Sequence, residues 1–240
     1  LSDNYNALST TASSVSVTPK SATVSATATQ LTYNGTQQNQ ATETSGFIPG
    51  DAITVTGQAS GKYAGNYVSS LTLGGTDASN YNVALNNASF FIEKASLTVT
   101  ASSVTKTYDG SLIAAGTSTV GALAGAGDSV GFSGNQVFLD KNSGTGKTVR
   151  ASGVIIKDAA NADMTANYTI TYVDDLSSVI NKANLYVIAN ADARFVGRSD
   201  VAGYSGVSYA GLMAGETPGV LGGNLNIART NVGVGTAGSY

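Results

Sequence analysis

The chain of 240 residues contains no cysteine, no histidine and no tryptophan. Without cysteine there is no disulfide scaffold and no thiol nucleophile. Without histidine the commonest general base and the commonest metal ligand are missing, and a Ser–His–Asp triad is impossible. Charged residues are 11% of the chain, against roughly 25% in an ordinary soluble domain. Lysine and arginine never cluster and the net charge is −3, so there is no basic footprint for nucleic acid or an anionic membrane. Nucleic acid is therefore not expected as a partner. No apolar run approaches the roughly 20 residues of a membrane helix, so membrane insertion is not expected either. Leu1 falls in mid-pattern and reads as the inside of a longer polypeptide rather than a signal peptide.

Gly, Ser, Thr, Ala and Asn fill the space that charge leaves. Val, Ile, Tyr and Phe recur at short intervals among them. That profile predicts many short strands with thin cores, joined by turns, and not a disordered chain.

The chain repeats itself. KSATVSA (20–26), KASLTVTA (94–101) and KANLYVIA (182–189) share one opening, a lysine followed by alternating apolar and polar positions. An aromatic-x-Gly follows at 13, 14 and 13 residues from that lysine: Tyr33-Asn34-Gly35, Tyr108-Asp109-Gly110 and Phe195-Val196-Gly197. A Gly-rich acidic turn comes next, GFIPGD (46–51), GALAGAGD (121–128) and GLMAGE (211–216). Asn80-Tyr81 and Asn167-Tyr168 then open a strand. The phasing divides the chain into the tail of a preceding repeat (1–19), two complete repeats (20–93 and 94–181) and an incomplete third (182–240).

Alternation predicts strands at Ile53–Thr56, Leu97–Ala101 and Tyr168–Tyr172, each with one buried face. The continuous run Val154-Ile155-Ile156 predicts a strand covered on both faces. Asn34-Gly35 and Asp109-Gly110 predict type I′ hairpin turns, whereas Val196-Gly197 predicts a different turn, because a β-branched residue resists positive φ. One-turn helical pieces are expected near 120–126 and 210–214. No linker separates the repeats at 91–99 or 179–187. The expected fold is all-β: small β-sandwich-like modules, alternatively β-grasp-like, stacked end to end as an elongated rod. Lys106, Lys141, Lys147 and Lys157 are candidates for charges that guard sheet edges.

Lys106-x-Tyr108-Asp109-Gly110 and its surroundings resemble the YDG-type and MBG-type repeats of large filamentous-haemagglutinin-like exoproteins. Residues 94–181 resemble the YDG type, residues 182–240 the MBG type, and residues 20–93 a variant. The resemblance implies an extracellular or cell-surface adhesin or biofilm-matrix protein of a Gram-negative bacterium, exported by two-partner secretion. Its repeats would build a stalk, with neighbouring repeats as partners. It implies no catalytic residue. The other reading is a module that binds an exopolysaccharide or host glycan.

Candidate chemistry is sparse. None of the lysines sits in a Ser-x-x-Lys setting, and Asp174-Asp175, the one adjacent acidic pair, reads as a solvated turn. No enzymatic activity is expected, and no cofactor except calcium. Asp158, Asn161 and Asp163 lie in one loop and Asp77, Asn80 and Asn82 in its counterpart; both read as calcium candidates or as Asx turns. Tyr33, Tyr81, Tyr108 and Tyr168 recur and read as packing residues, with Tyr63, Tyr67, Tyr204 and Tyr209 left as candidates for stacking on sugars. Asn34, Asn87 and Asn167 begin glycosylation-type sequons. Thr-x-Thr recurs at irregular spacing, which fits ordinary strands better than an ice-binding face.

Overall fold

Strand alternation is clearest in the strand that opens the second copy. In the computed structural model, which describes residues 13–191 and 206–226, Ala95–Thr100 alternates strictly between buried and exposed positions. The strands of the first copy are β1 (Lys20–Ala26), β2 (Thr29–Thr32), β3 (Gln38–Asn39), β4 (Thr42–Ser45), β5 (Thr54–Thr56), β6 (Ser60–Gly61), β7 (Gly65–Val68), β8 (Thr72–Gly74), β9 (Tyr81–Asn86) and β10 (Ser89–Glu93). Those of the second are β11 (Ala95–Thr100), β12 (Thr105–Thr107), β13 (Thr119–Val120), β14 (Ser129–Phe132), β15 (Asn135–Phe138), β16 (Gly144–Ser152), β17 (Ile155–Lys157), β18 (Tyr168–Val173) and β19 (Asp175–Asn181). β20 (Tyr186–Ala189) and β21 (Val207–Ala210) follow. The class is all-β, as expected.

Repetition in sequence becomes repetition in topology. The first copy has sheets ordered β4-β1-β9 and β2-β10-β7, and the second has β13-β11-β18 and β12-β19-β16-β15. The pair β5-β8 recurs as β14-β17, and the antiparallel pair β20-β21 repeats β1-β4. β1 runs parallel to β9 with Lys20 opposite Tyr81, and β2 runs parallel to β10 with Thr29 opposite Phe90. β1 continues into β2, and β9 into β10, across two-residue breaks, so the two segments leave one sheet and enter the next side by side.

Backbone groups at such a break need partners when they are buried. The buried Gln40 supplies them: its Nε2 donates to Thr27 O at 3.0 Å and to Ala88 O and Ser89 O at 3.2 Å. In the second copy, the buried Gln136 accepts from Ser102 N through Oε1 at 2.6 Å.

The chain forms two compact units. Of the described residues, one comprises those up to Leu97 with 122–131 and 156–170; the other comprises 98–121, 132–155 and those from Thr171 onward. In the first unit Val24, Ala26 and Leu71 form a core on which Phe47, Val55, Leu73, Val83 and Ala88 pack. In the second, Val99, Phe138, Val149 and Ile180 are fully or almost fully buried. Each such side chain contributes about 1.5–3 kcal/mol through removal from water.

Four local expectations are corrected. The type I′ turns do not form. Gly35 and Gly110 have φ of 76° and 74°, but the one non-glycine residue with positive φ among those described is Asn161. Asn34 and Asp109 instead act as Asx turns, their Oδ1 atoms accepting from Thr36 N and Ser111 N at 2.9 Å each. The strand after Gly35 does not pair back on β2, so no hairpin constrains the turn. Second, Ile155 is exposed on its outer face, so the Val154–Ile156 run is covered on one side only. Third, one-turn 3-10 helices form at Ala78–Asn80, Thr165–Asn167 and Pro218–Val220, not at the expected places. The first two lead directly into the Asn-Tyr strands.

Fourth, the edge-lysine reading fails at Lys147, which lies in the interior strand β16 and pairs with Asp140. Lys106 is on the edge strand β12 but turns inward, donating to Ser111 O at 2.8 Å and Ile113 O at 3.0 Å. Lys141 is outside the strands, and Lys157 ends the edge strand β17. The predicted turn at Val196-Gly197 lies outside the described residues.

Candidate functional site

The recurrent tyrosines and the recurrent acidic turns find each other. In the second copy the phenol of Tyr168 donates to Asp128 Oδ2 at 2.7 Å and accepts from Gly125 N at 3.0 Å. In the first copy Tyr81 donates to Asp51 Oδ2 and accepts from Ile48 N at 3.0 Å. Both acids stand three residues after the donating amide. The turn is closed each time by the acid's own N–H on that residue's carbonyl: Asp51 on Ile48 at 3.2 Å and Asp128 on Gly125 at 3.1 Å. The third turn closes identically, Glu216 N on Met213 O at 3.0 Å.

A second phenol arrives from the preceding repeat. Tyr33, of the first copy's aromatic-x-Gly, donates to the same Asp128 Oδ2 at 3.0 Å. Its ring meets Tyr168 edge to face, with centroids 5.5 Å apart and planes at 77°, a favoured aromatic geometry. Asn34 O accepts from Ala126 N at 2.8 Å. Tyr108, of the second copy's aromatic-x-Gly, donates in the same way to Glu216.

Two glycines allow the first of these contacts. A Cβ on Gly125 would overlap the Asp128 carboxylate and stand 2.9 Å from Tyr33 Cε1. A Cβ on Gly35 would overlap Ala126 N and stand 2.8 Å from Gly125 Cα, and its φ already lies in the left-handed region.

The electrostatics follow from burial and charge. Burial, then the hydrogen bond to Asp128, raises the Tyr33 phenol, and the same causes push Tyr168 up to about 12. Tyr81 is raised mainly by its hydrogen bond to Asp51 and Tyr108 by its bond to Glu216, while Glu216 is held low by Tyr108. These phenols are donors locked in the protonated form. Nothing in the cluster positions a general base, a nucleophile and an electrophile stabiliser together, as chemistry would require. The arrangement is suited to holding chain segments.

Two stretches, residues 18–88 and 93–175, each match the YDG domain, and together they span more than half of the chain. The chain belongs to the YDG domain family. No curated protein and no solved structure matches it.

The match corrects the resemblance drawn from sequence. The first copy, read as a variant of the same theme, carries a YDG match of its own at 18–88, beside that of the second copy at 93–175. The reading as a filamentous-haemagglutinin-like adhesin, with its stalk, biofilm, Gram-negative and two-partner-secretion implications, does not stand: what matches is the YDG domain, and no adhesin is among the matches. A polysaccharide or glycan partner has no support. The exclusion of nucleic acid is also withdrawn, because the YDG match reopens it.

The other candidate residues of the YDG modules fall as follows. Asp158 Oδ1 accepts from Ala160 N and Ala162 N at 2.9 Å, Asp163 Oδ1 accepts from Thr165 N at 2.8 Å, and Asn161 Oδ1 accepts from Lys157 Nζ at 2.8 Å. All three are engaged in local turn bonds, and among the described residues no three acidic side chains converge. Asp77 Oδ2 likewise accepts from Ala52 N at 2.7 Å.

Tyr63 is exposed, with Lys62 Nζ 5.7 Å from its ring centroid, but Tyr67 packs beside Phe90 and donates to Tyr63 O at 3.0 Å. Tyr209 is half-buried in β21, and Tyr204 lies outside the described residues. Among the described candidates only Tyr63 has an exposed ring. Asn167 is buried and accepts from Ala64 N at 2.9 Å, so its sequon is inaccessible in the fold; Asn34 and Asn87 are exposed. Asp174 pairs with Arg150 at 2.7 Å, and Asp175 caps the following serines. No described helix is long and apolar enough to cross a membrane.

Sequence reasoning named Tyr33, Tyr108 and the acidic turns but did not join them. The usable signal was co-recurrence: the first two aromatic-x-Gly motifs are each followed, one repeat later, by an acid at the end of a Gly-rich turn.

Proposed function

We propose that these YDG modules act by binding and not by catalysis, and that DNA carrying modified cytosine is the ligand class to test first. The observation that carries this reading is the double YDG match, since the YDG name belongs to a domain that binds DNA at methylated cytosine. The absence of histidine and cysteine supports the non-catalytic part. The charge distribution limits how DNA would be held. Lys106, Lys147 and Arg150 are tied to Asp109, Asp140 and Asp174, and the net charge is −3. Phosphate contacts would be few, and binding would rest on the bases. An open depression of about 410 Å3, lined by Phe91, Glu93, Lys94 and Thr169, places an exposed aromatic ring beside a lysine where a base could stack.

Fluorescence anisotropy with methylated, hemimethylated and unmethylated duplexes, across a salt series, tests it. Tighter binding to a methylated duplex, weakened by Phe91→Ala, supports the reading. No binding to any duplex at low salt removes DNA. A second reading is favoured by the recurring tyrosine–carboxylate contacts: modules whose work is to fasten to one another.

A further inference from the structure

We infer that the turn ending at Asp51 is a docking socket for the Tyr-x-Gly turn of a further YDG module placed directly N-terminal to Lys20. Three turns share one geometry, and two of them already hold such a tyrosine. Asp128 receives Tyr33 and Glu216 receives Tyr108. Asp51 closes the same turn and receives the same intra-repeat tyrosine, yet Tyr81 is the one phenol described on it. Asp128 shows that a single carboxylate oxygen of such a turn accepts two phenols at once.

The sequence of the socket indicates which tip it fits. Ile48-Pro49-Gly50-Asp51 matches Met213-Ala214-Gly215-Glu216 in placing a large apolar residue three before the acid, where the Asp128 turn has Gly125. Met213 lies against Gly110 of the Tyr108 turn, a Cβ there standing 3.4 Å from Met213 Cβ. Ile48 is 51% exposed, so it has the apolar surface Met213 presents to Gly110 without a glycine tip against it. The occupant is therefore a Tyr-Asp-Gly turn like that of residues 108–110.

An independent observation points the same way. The residues before the repeat-opening lysine form the interior strands β10 before Lys94 and β19 before Lys182, burying Phe90, Ile92 and Ile180. Residues 13–19, before Lys20, carry the same alternation in Val15-Ser16-Val17. They pair with nothing described, and the two valines are 88% and 89% exposed. A strand and a socket are thus open together, and one added module would fill both. This does not depend on whether the modules bind DNA.

The test uses the full chain with residues 94–181 spliced directly ahead of Lys20, and hydrogen exchange as the readout. Amides of residues 46–51 should exchange about tenfold more slowly in the extended chain, the equilibrium equivalent of one added hydrogen-bonded contact. Replacing the upstream tyrosine (Tyr108→Phe in the added copy) or Asp51→Asn should remove that gain, and the double variant should lose no more than either alone. Asp51→Glu should keep it, as Glu216 serves in the third turn, which guards against loss through misfolding. Unchanged exchange at 46–51, with the added module itself protected, would overturn the proposal.

Discussion

The turns that end at Asp51 and Asp128 have the same backbone closure and the same intra-repeat tyrosine, but they differ in what reaches them from outside. Asp128 carries two phenols and stands beside Gly125; Asp51 carries one and stands beside Ile48. The shared part is module-intrinsic: a Gly-rich turn, an acid at its end and a tyrosine after a 3-10 turn. The added part is a neighbour's contribution; a side chain at position 125 would overlap the Asp128 carboxylate first and crowd the Tyr33 ring as well. One motif therefore serves twice, first to close its own module and then to receive the preceding one.

The comparison breaks most readily at Asp128. Asp128→Ala strands the buried phenols of Tyr33 and Tyr168 without an acceptor, and should cost about 2–4 kcal/mol in urea unfolding. The corresponding Asp51→Ala should cost visibly less, because one phenol is affected there; equal losses would contradict the distinction. Next comes Gly125→Ala, expected to cost about 1–3 kcal/mol by forcing Tyr33 and the carboxylate apart, whereas Ile48→Ala at an exposed site should be near neutral. Tyr33→Phe should then cost about 1 kcal/mol, the net worth of one hydrogen bond.

Titration sharpens the same contrast. Tyr168 ionises near 12 in the fold, above the ordinary tyrosine value. Its stabilisation is present below pH about 10 and is lost as pH rises through about 12, so tyrosinate absorbance should show a late, cooperative step. Asp109 runs the opposite way. Lys106 holds it at about 2, so its contribution is present above the ordinary aspartate value near 4 and fades as pH falls toward 2. Lys106→Met should shift that acid limb upward. The smallest effect is calcium. Asp158, Asn161 and Asp163 are occupied in turn bonds, and millimolar calcium should leave the melting temperature unchanged; a rise would reinstate a metal site.

Much of the plan was legible because repetition and alternation are local. Leu97, Val99 and Ala101 alternate with polar residues and are buried just where period two puts them. Lys20, Lys94 and Lys182 mark the repeat openings, and the strand orders then recur. The turns were less legible. Asn34-Gly35 promised a hairpin from its dipeptide, but β2 pairs in parallel with β10, so nothing demanded a type I′ geometry. Lys147 looked like an edge guard because sequence does not reveal which strand becomes interior. The resemblance to adhesin repeats rested on short Gly-rich motifs, which are spacing patterns and name no ligand.

By itself, then, the sequence determined the all-β class, the buried face of a strand such as Leu97–Ala101 and the absence of histidine or thiol chemistry, because composition and periodicity act within a few residues. Only the tertiary structure decided that β1 and β9 run parallel, that Gln40 covers the breaks where strands change sheets, and that Tyr33 meets Asp128 across 95 residues. Those outcomes depend on which buried polar groups are left needing a partner after the strands have paired, and no local pattern records that.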